Sequence, residues 1–263
     1  MKTRRWPAAA GVAAATLALL VPAAARADWT EEDGHKMHYP QLPDPTGWDI
    51  NMTGFTVADD WRCSGSGPVD GIHFWVSWHD DGGHPTNIMN VHLSVHADVP
   101  DPDGPGPAYS MPGALLWQRD VPLPMLQFTG PFVGLQGWYD PAIDYFGTAD
   151  HNLYWQINVP VTVDPFIQTM DEIYWLDINL AVDSAQPAGW KTSVTNFNDD
   201  AVWWDPDPGV WRELHDPLEP TQSLDVAFVI VPEPGTAALG GAAALVLAGV
   251  LRQRGRRRAR HQP

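Results

Sequence analysis

A sandwich enzyme that cleaves sugars needs two carboxylates facing one another, about 5.5 Å apart when the configuration is retained. The six glutamates of this chain, Glu31, Glu32, Glu172, Glu213, Glu219 and Glu233, do not pair on any strand face. Aspartate is abundant for a duller reason. Asp44, Asp101, Asp140, Asp164, Asp205, Asp207 and Asp216 each stand directly before proline, where the side chain starts a turn. Asp59-Asp60, Asp80-Asp81, Asp101 with Asp103, Asp199-Asp200 and Asp205 with Asp207 are read as turn-borne acid pairs. Such pairs suit Ca²⁺, which wants six to eight oxygens, although no spacing fits a known calcium loop. His73, His79, His92 and His96 share a polar strand face in this reading. His92 and His96 stand ~13 Å apart along one strand, so only a cross-strand pairing of His73 with His96 could bring two histidines to one ion. Cys63, the single cysteine, excludes an intrachain disulfide and is read as a small buried hydrophobe. Ser64-Gly65-Ser66-Gly67 is no nucleophile elbow. No catalytic set and no defined metal site follows.

Aromatic residues offer a binding chemistry instead. Trp75, Tyr154 and Trp175 fall on the polar rows of their strands, Tyr154 beside Gln156, and Trp175 beside Asp177 and Asn179. Flat rings flanked by amides and carboxylates can hold a sugar by stacking and directed hydrogen bonds. The expected ligand-binding residues are therefore Trp75, Tyr154, Trp175, Asp177 and Asn179, on exposed sheet faces.

The elements that must carry them are strands. Ile72, Phe74, Val76 and Trp78 alternate with polar positions, and Met89, Val91, Leu93 and Val95 do so after a Gly-rich turn, which predicts an antiparallel hairpin. Further rows are Leu153 to Val159, Tyr174 to Val182 and Leu224 to Ile230. Shorter candidates are Phe55 to Val57, Ala114 to Gln118, Met125 to Phe128, Trp190 to Thr195, Ala201 to Trp204 and Trp211 to Leu214. No apolar stripe of period 3.6 runs through the interior. Nine to twelve strands with Pro and Gly punctuation predict an all-β, two-sheet antiparallel sandwich, jelly-roll-like, over residues 28–231. Asp98 to Gly113 is expected to be a surface loop.

Charge separates the interior from the ends. Residues 28–231 hold 5 basic and 31 acidic residues, a formal charge of −26, whereas the whole chain carries −17. Phosphate backbones would be repelled, so nucleic acid is excluded as a partner. Lys2, Arg4 and Arg5, an apolar run from Ala8 to Ala25 and the small residues Ala25 and Ala27 predict a signal peptide over 1–27, cut after Ala27 by signal peptidase.

At the other end, Pro232-Glu233-Pro234 is followed by an apolar run from Thr236 to Leu251 and six arginines from Arg252 to Arg260. As a helix the run reaches ~24 Å, marginal for a ~30 Å hydrocarbon core. The order of motif, helix and basic tail over 232–263 resembles the PEP-CTERM sorting signal of exported Gram-negative proteins. The resemblance implies an exosortase that cuts near Pro232, Glu233 and Pro234, a membrane-tethered intermediate held by the 236–251 helix, and a final place at the cell surface or outside the cell, beside exopolysaccharide.

Ala58-Asp59-Asp60-Trp61-Arg62-Cys63, Gly71-Ile72-His73-Phe74-Trp75-Val76-Ser77-Trp78, Leu93-Ser94-Val95-His96-Ala97-Asp98-Val99-Pro100, Ile173-Tyr174-Trp175-Leu176-Asp177 and Gly189-Trp190-Lys191-Thr192-Ser193 together resemble a domain-of-unknown-function family of secreted bacterial proteins. That resemblance implies one domain over about 39–231 and transfers no activity. The expected function is an exported, non-catalytic surface or matrix protein with a polysaccharide partner. An exported polysaccharide hydrolase or lyase and a calcium-dependent structural or adhesive protein are the alternatives.

Overall fold

A computed structural model of the chain describes residues 40–63, 65–101 and 108–232. The expected signal peptide with Ala27, the motif residues Glu233 and Pro234, the 236–251 helix and the arginine tail lie outside the described residues. Pro232 ends the last strand.

Among the described residues the strands are β1 (Trp48–Asn51), β2 (Val57–Arg62), β3 (Gly67–Trp78), β4 (Ile88–Val99), β5 (Met111–Pro122), β6 (Gln127–Asp140), β7 (Tyr145–Pro160), β8 (Ile167–Gln168), β9 (Ile173–Val182), β10 (Ala188–Lys191), β11 (Val202–Asp205), β12 (Val210–Glu213) and β13 (Phe228–Pro232). They make two sheets, ordered β10-β1-β6-β7-β3-β13, with β8 on β3, and β12-β11-β2-β9-β4-β5. The two-sheet sandwich expected from the sequence is present. Pairing between strands is antiparallel apart from β1 with β6. The first sheet also closes on itself, because β10 pairs with β1 on one edge and with β3 on the other.

The period-two rows build the core. Ile72, Phe74, Val76 and Trp78 from β3 meet Val91, Leu93 and Val95 from β4, Trp155, Ile157 and Val159 from β7, and Leu176, Ile178 and Leu180 from β9 in one buried cluster. Rings pack edge to face inside it, for example Trp78 on Trp155 and Trp190 on Phe228, a preferred geometry for aromatic quadrupoles.

Several expectations are corrected. The β3 and β4 rows do not form a hairpin: β3 pairs with β7, β10 and β13 in one sheet, and β4 with β5 and β9 in the other. The turn explains the crossing. Asp80 and Asp81 adopt left-handed φ of 56° and 52°, and the Asp81 carboxylate accepts hydrogen bonds from the backbone N–H of Asn152 and Leu153. The turn is thus stapled to β7, and the chain passes to the opposite sheet. His73 consequently faces Asn158 and not His96. A register shift between Ile88 and Asn90 buries Ile88 and exposes Met89, the first residue of the expected apolar row. Asp59 and Asp60 lie within β2, fully buried, and not at a turn. Both borders of the expected Asp98 to Gly113 loop are strand.

Candidate functional site

Trp75, Tyr154 and Trp175 stand on the predicted rows, yet none is exposed: they retain 4%, 6% and 0% of their surface. The chain covers the second face of each sheet. Trp75 and Tyr154 pack with Ala227, Val229 and Leu42, and Phe132 lies 5.3 Å from the Tyr154 ring. Trp175 packs with Ala58, Val202, Tyr109 and Trp211 and donates its Nε1–H to Asp98 at 2.9 Å. Asp177 is buried and pairs with His96 Nε2 at 2.6 Å. Half-buried Asn179 donates to the Phe55 carbonyl. The expected ring platform is therefore packing, and these five residues are not brought to one surface. Cys63 is buried, its thiol donating to Gln168 Oε1, and burial pushes it up to about 12, far from a thiolate nucleophile.

Two charged assemblies gather residues that the sequence does not join, although Asp59-Asp60 and Asp199-Asp200 of the second are among the acid pairs expected to suit Ca²⁺. In the first, Asp49 Oδ2 contacts both Lys191 Nζ at 3.2 Å and His151 Nε2 at 3.0 Å, and all three side chains are fully buried. The other ring nitrogen, Nδ1, contacts Asp150 Oδ1 at 2.9 Å. An imidazole between two carboxylates can serve both only as a doubly protonated donor. Burial opposes that charge, but Asp49 and Asp150 outweigh it and raise the His151 pKa. Burial would likewise raise the Asp49 carboxyl, and Lys191 and His151 instead hold it below the ordinary value. Two anions thus meet two cations, and the assembly is balanced. Its outer end reaches His79, whose Nε2 lies 3.4 Å from Asp150 and whose Nδ1 lies 3.3 Å from Asp80.

The second assembly is unbalanced. Asp59 accepts from the backbone N–H groups of Asp60 and Val226, Asp60 from Asn198 Nδ2, and Asp225 from the Phe197 N–H. Asp60 Oδ1 and Asp225 Oδ1 are buried with no hydrogen-bond partner. Burial, reinforced by neighbouring carboxylates, raises Asp60 to about 9 and Asp225 to about 8, and Asp59 rises for the same reasons. Asp199, Asp200 and Glu213 complete the group. None of the described ion pairs brings a Lys or Arg to these six acids. Arg212, next to Glu213 in sequence, turns to Asp205 at 2.6 Å.

An open groove runs along the segment before β1. Asp44, Thr46, Trp48, Thr192, Ser193, Asn196, Asp216, Gln222 and Ser223 line a space of about 640 Å³. An adjoining space of about 330 Å³ shares Thr46, Gly47, Trp48 and Asp216 and adds Leu135 and Leu218. Neither lining includes Lys, Arg or His. Asp216 accepts from Trp48 Nε1 and from the N–H groups of Leu218 and Glu219, and Asp44 accepts from Thr46 N and Oγ1. Asp216 engages both carboxylate oxygens, and Asp44 its Oδ1, in holding the turns that shape the groove.

Sequence reasoning found Asp199-Asp200 but missed its partners Glu213 and His215. Their signal was available, since they flank buried Leu214 and alternation sets them on one face. The Asp49–Lys191 contact spans 142 positions and has no local signal. No curated protein and no solved structure matches the chain. Residues 37–231 match the family described as a domain of unknown function, DUF7901, and the chain belongs to that family.

Proposed function

We propose that the protein is an exported, non-catalytic module of the cell surface or extracellular matrix that holds neutral glycan in the groove beside Trp48. The groove is the observation that carries this reading. Its hydroxyl, amide and carboxylate groups match the hydroxyl-rich edge of a sugar, and Leu135 and Leu218 offer apolar contact to sugar C–H groups. Its two aspartates and lack of basic residues, on a span of formal charge −26, disfavour uronic acids or phosphates. A catalytic carboxylate pair is disfavoured in the groove, because Asp216 engages both oxygens in hydrogen bonds and Asp44 engages Oδ1 in holding a turn. Export and final placement rest on the sequence ends: a signal peptide cut after Ala27, then exosortase processing at Pro232, Glu233 and Pro234.

The test is an array of neutral and acidic polysaccharides, with released reducing ends and unsaturated products measured in parallel. Retention of neutral glycans without products is expected. Products would establish the hydrolase or lyase alternative, and no retention of any glycan would remove the groove reading.

A further inference from the structure

Three donors of mixed chemistry converge at the end of β12. Glu213 closes that strand, His215 bridges antiparallel to Ser223, and Asp200 precedes β11, held by Ser223 Oγ. One ligand atom from each lies within 4.8 Å of the others. His215 Nδ1 is 3.4 Å from Asp200 Oδ2, and Nε2 is 3.6 Å from Glu213 Oε2. Nδ1 is nevertheless a buried atom without a hydrogen-bond partner. Asp225, 1% exposed and with Oδ1 unpartnered, belongs to the same acidic group. The site therefore combines a convergent mixed donor set with an unsatisfied buried ring nitrogen, and a cation would answer both.

We infer that Asp200, Glu213 and His215 bind one divalent transition-metal cation of the Zn²⁺ class. An imidazole with two carboxylates suits zinc, whereas calcium takes six to eight oxygens and no ring nitrogen. Donors on a tetrahedral ion with ~2.1 Å bonds stand ~3.4 Å apart, so the three side chains, whose donors lie within 4.8 Å of one another, must draw together with one His215 nitrogen turned to the ion. The other mixed group, His79 with Asp80 and Asp150, is the natural comparison: His79 Nδ1 is likewise buried without a hydrogen-bond partner, but there Asp150 is shared with the fully buried His151. A bound ion would tie the start of β11 to residues 213–225, which supply Asp216, Gln222 and Ser223 to the groove wall. The inference stands apart from glycan binding, and its test reads the ion alone.

The test is calorimetric titration of the chelator-treated full chain with Zn²⁺ at constant ionic strength, with Co²⁺ absorption as a second readout. One equivalent should bind, weakened at least tenfold in His215→Ala and in Glu213→Gln and unchanged in His79→Ala. Glu213→Gln covers the case in which His215→Ala fails to fold. The inference is overturned if no zinc binds, if both site variants bind as the wild type does, if His79→Ala is the variant that loses zinc, or if equimolar Ca²⁺ displaces it.

Discussion

Replacing Lys191 by Met would leave Asp49 and Asp150 facing His151 alone, with one excess negative charge at a fully buried position. At 3.2 Å between Lys191 Nζ and Asp49 Oδ2, two unit charges attract by about 5 kcal/mol at an effective dielectric constant of 20. Breaking one buried pair by removing a single partner costs about 3–5 kcal/mol, because the survivor cannot be solvated. The cation also faces the Tyr154 ring at 5.3 Å, and this contact would go too. For a chain of this size each kcal/mol lowers Tm by about 2–4 °C, so Lys191→Met should lower it by roughly 6–20 °C. The double variant Asp49→Asn/Lys191→Met removes both charges and keeps an acceptor for His151. It should recover most of the loss, as neutral replacements of buried pairs commonly do. Chemical denaturation of the wild type, both single variants and the double variant measures the coupling. A Lys191→Met loss under 1 kcal/mol, or a double variant no more stable than the singles, would refute the balanced-charge account.

The buried acids predict an alkaline weakness. Asp60 and Asp225, raised from 3.8 to about 9 and about 8, contribute stability that is complete below 3.8 and lost as pH rises through their folded values. In chelator the denaturant midpoint should fall from pH 5 to pH 9, less steeply in Asp60→Asn, and a flat or rising midpoint would contradict this. Trp175→Ala should cost about 3–5 kcal/mol, as for a core tryptophan, since its ring is fully buried; a loss under 1 kcal/mol by thermal melting would show the ring to be dispensable. In a host with an exosortase, mass spectrometry of the extracellular protein should find an end near Pro232 to Pro234 without Arg252, and recovery of the intact tail there would oppose processing.

The strand rows were legible because one face of each is core. Val91, Leu93 and Val95, or Leu176, Ile178 and Leu180, declare themselves by alternation. What covers the opposite face was not legible. Trp75 and Trp175 have the right parity for exposure, but Leu42, Tyr109 and Trp211, distant in sequence, lie over them. The β3–β4 crossing was hidden because Asp80-Asp81-Gly82-Gly83 has hairpin composition, and only its staple to β7 sends the chain elsewhere. Much of β6 escaped because Gly130, Pro131, Gly134 and Gly137 interrupt its pattern where the register shifts. The charged assemblies join residues scattered over the chain, so residue type announced the chemistry of Asp199-Asp200 while pairing stayed silent. The groove was missed for a related reason, since its polar lining comes from turns that carry no period.

The most direct measurement is the affinity of a neutral polysaccharide for the wild type and for Asn196→Ala/Gln222→Ala. Both side chains are exposed on the groove wall, so stability should change by no more than about 1 kcal/mol. Calorimetry should show binding by the wild type, weakened at least about tenfold, or about 1.4 kcal/mol, in the double variant with its melting temperature preserved. Equal affinity in the two proteins, or no binding by the wild type, would contradict the groove as the place where this protein meets its glycan.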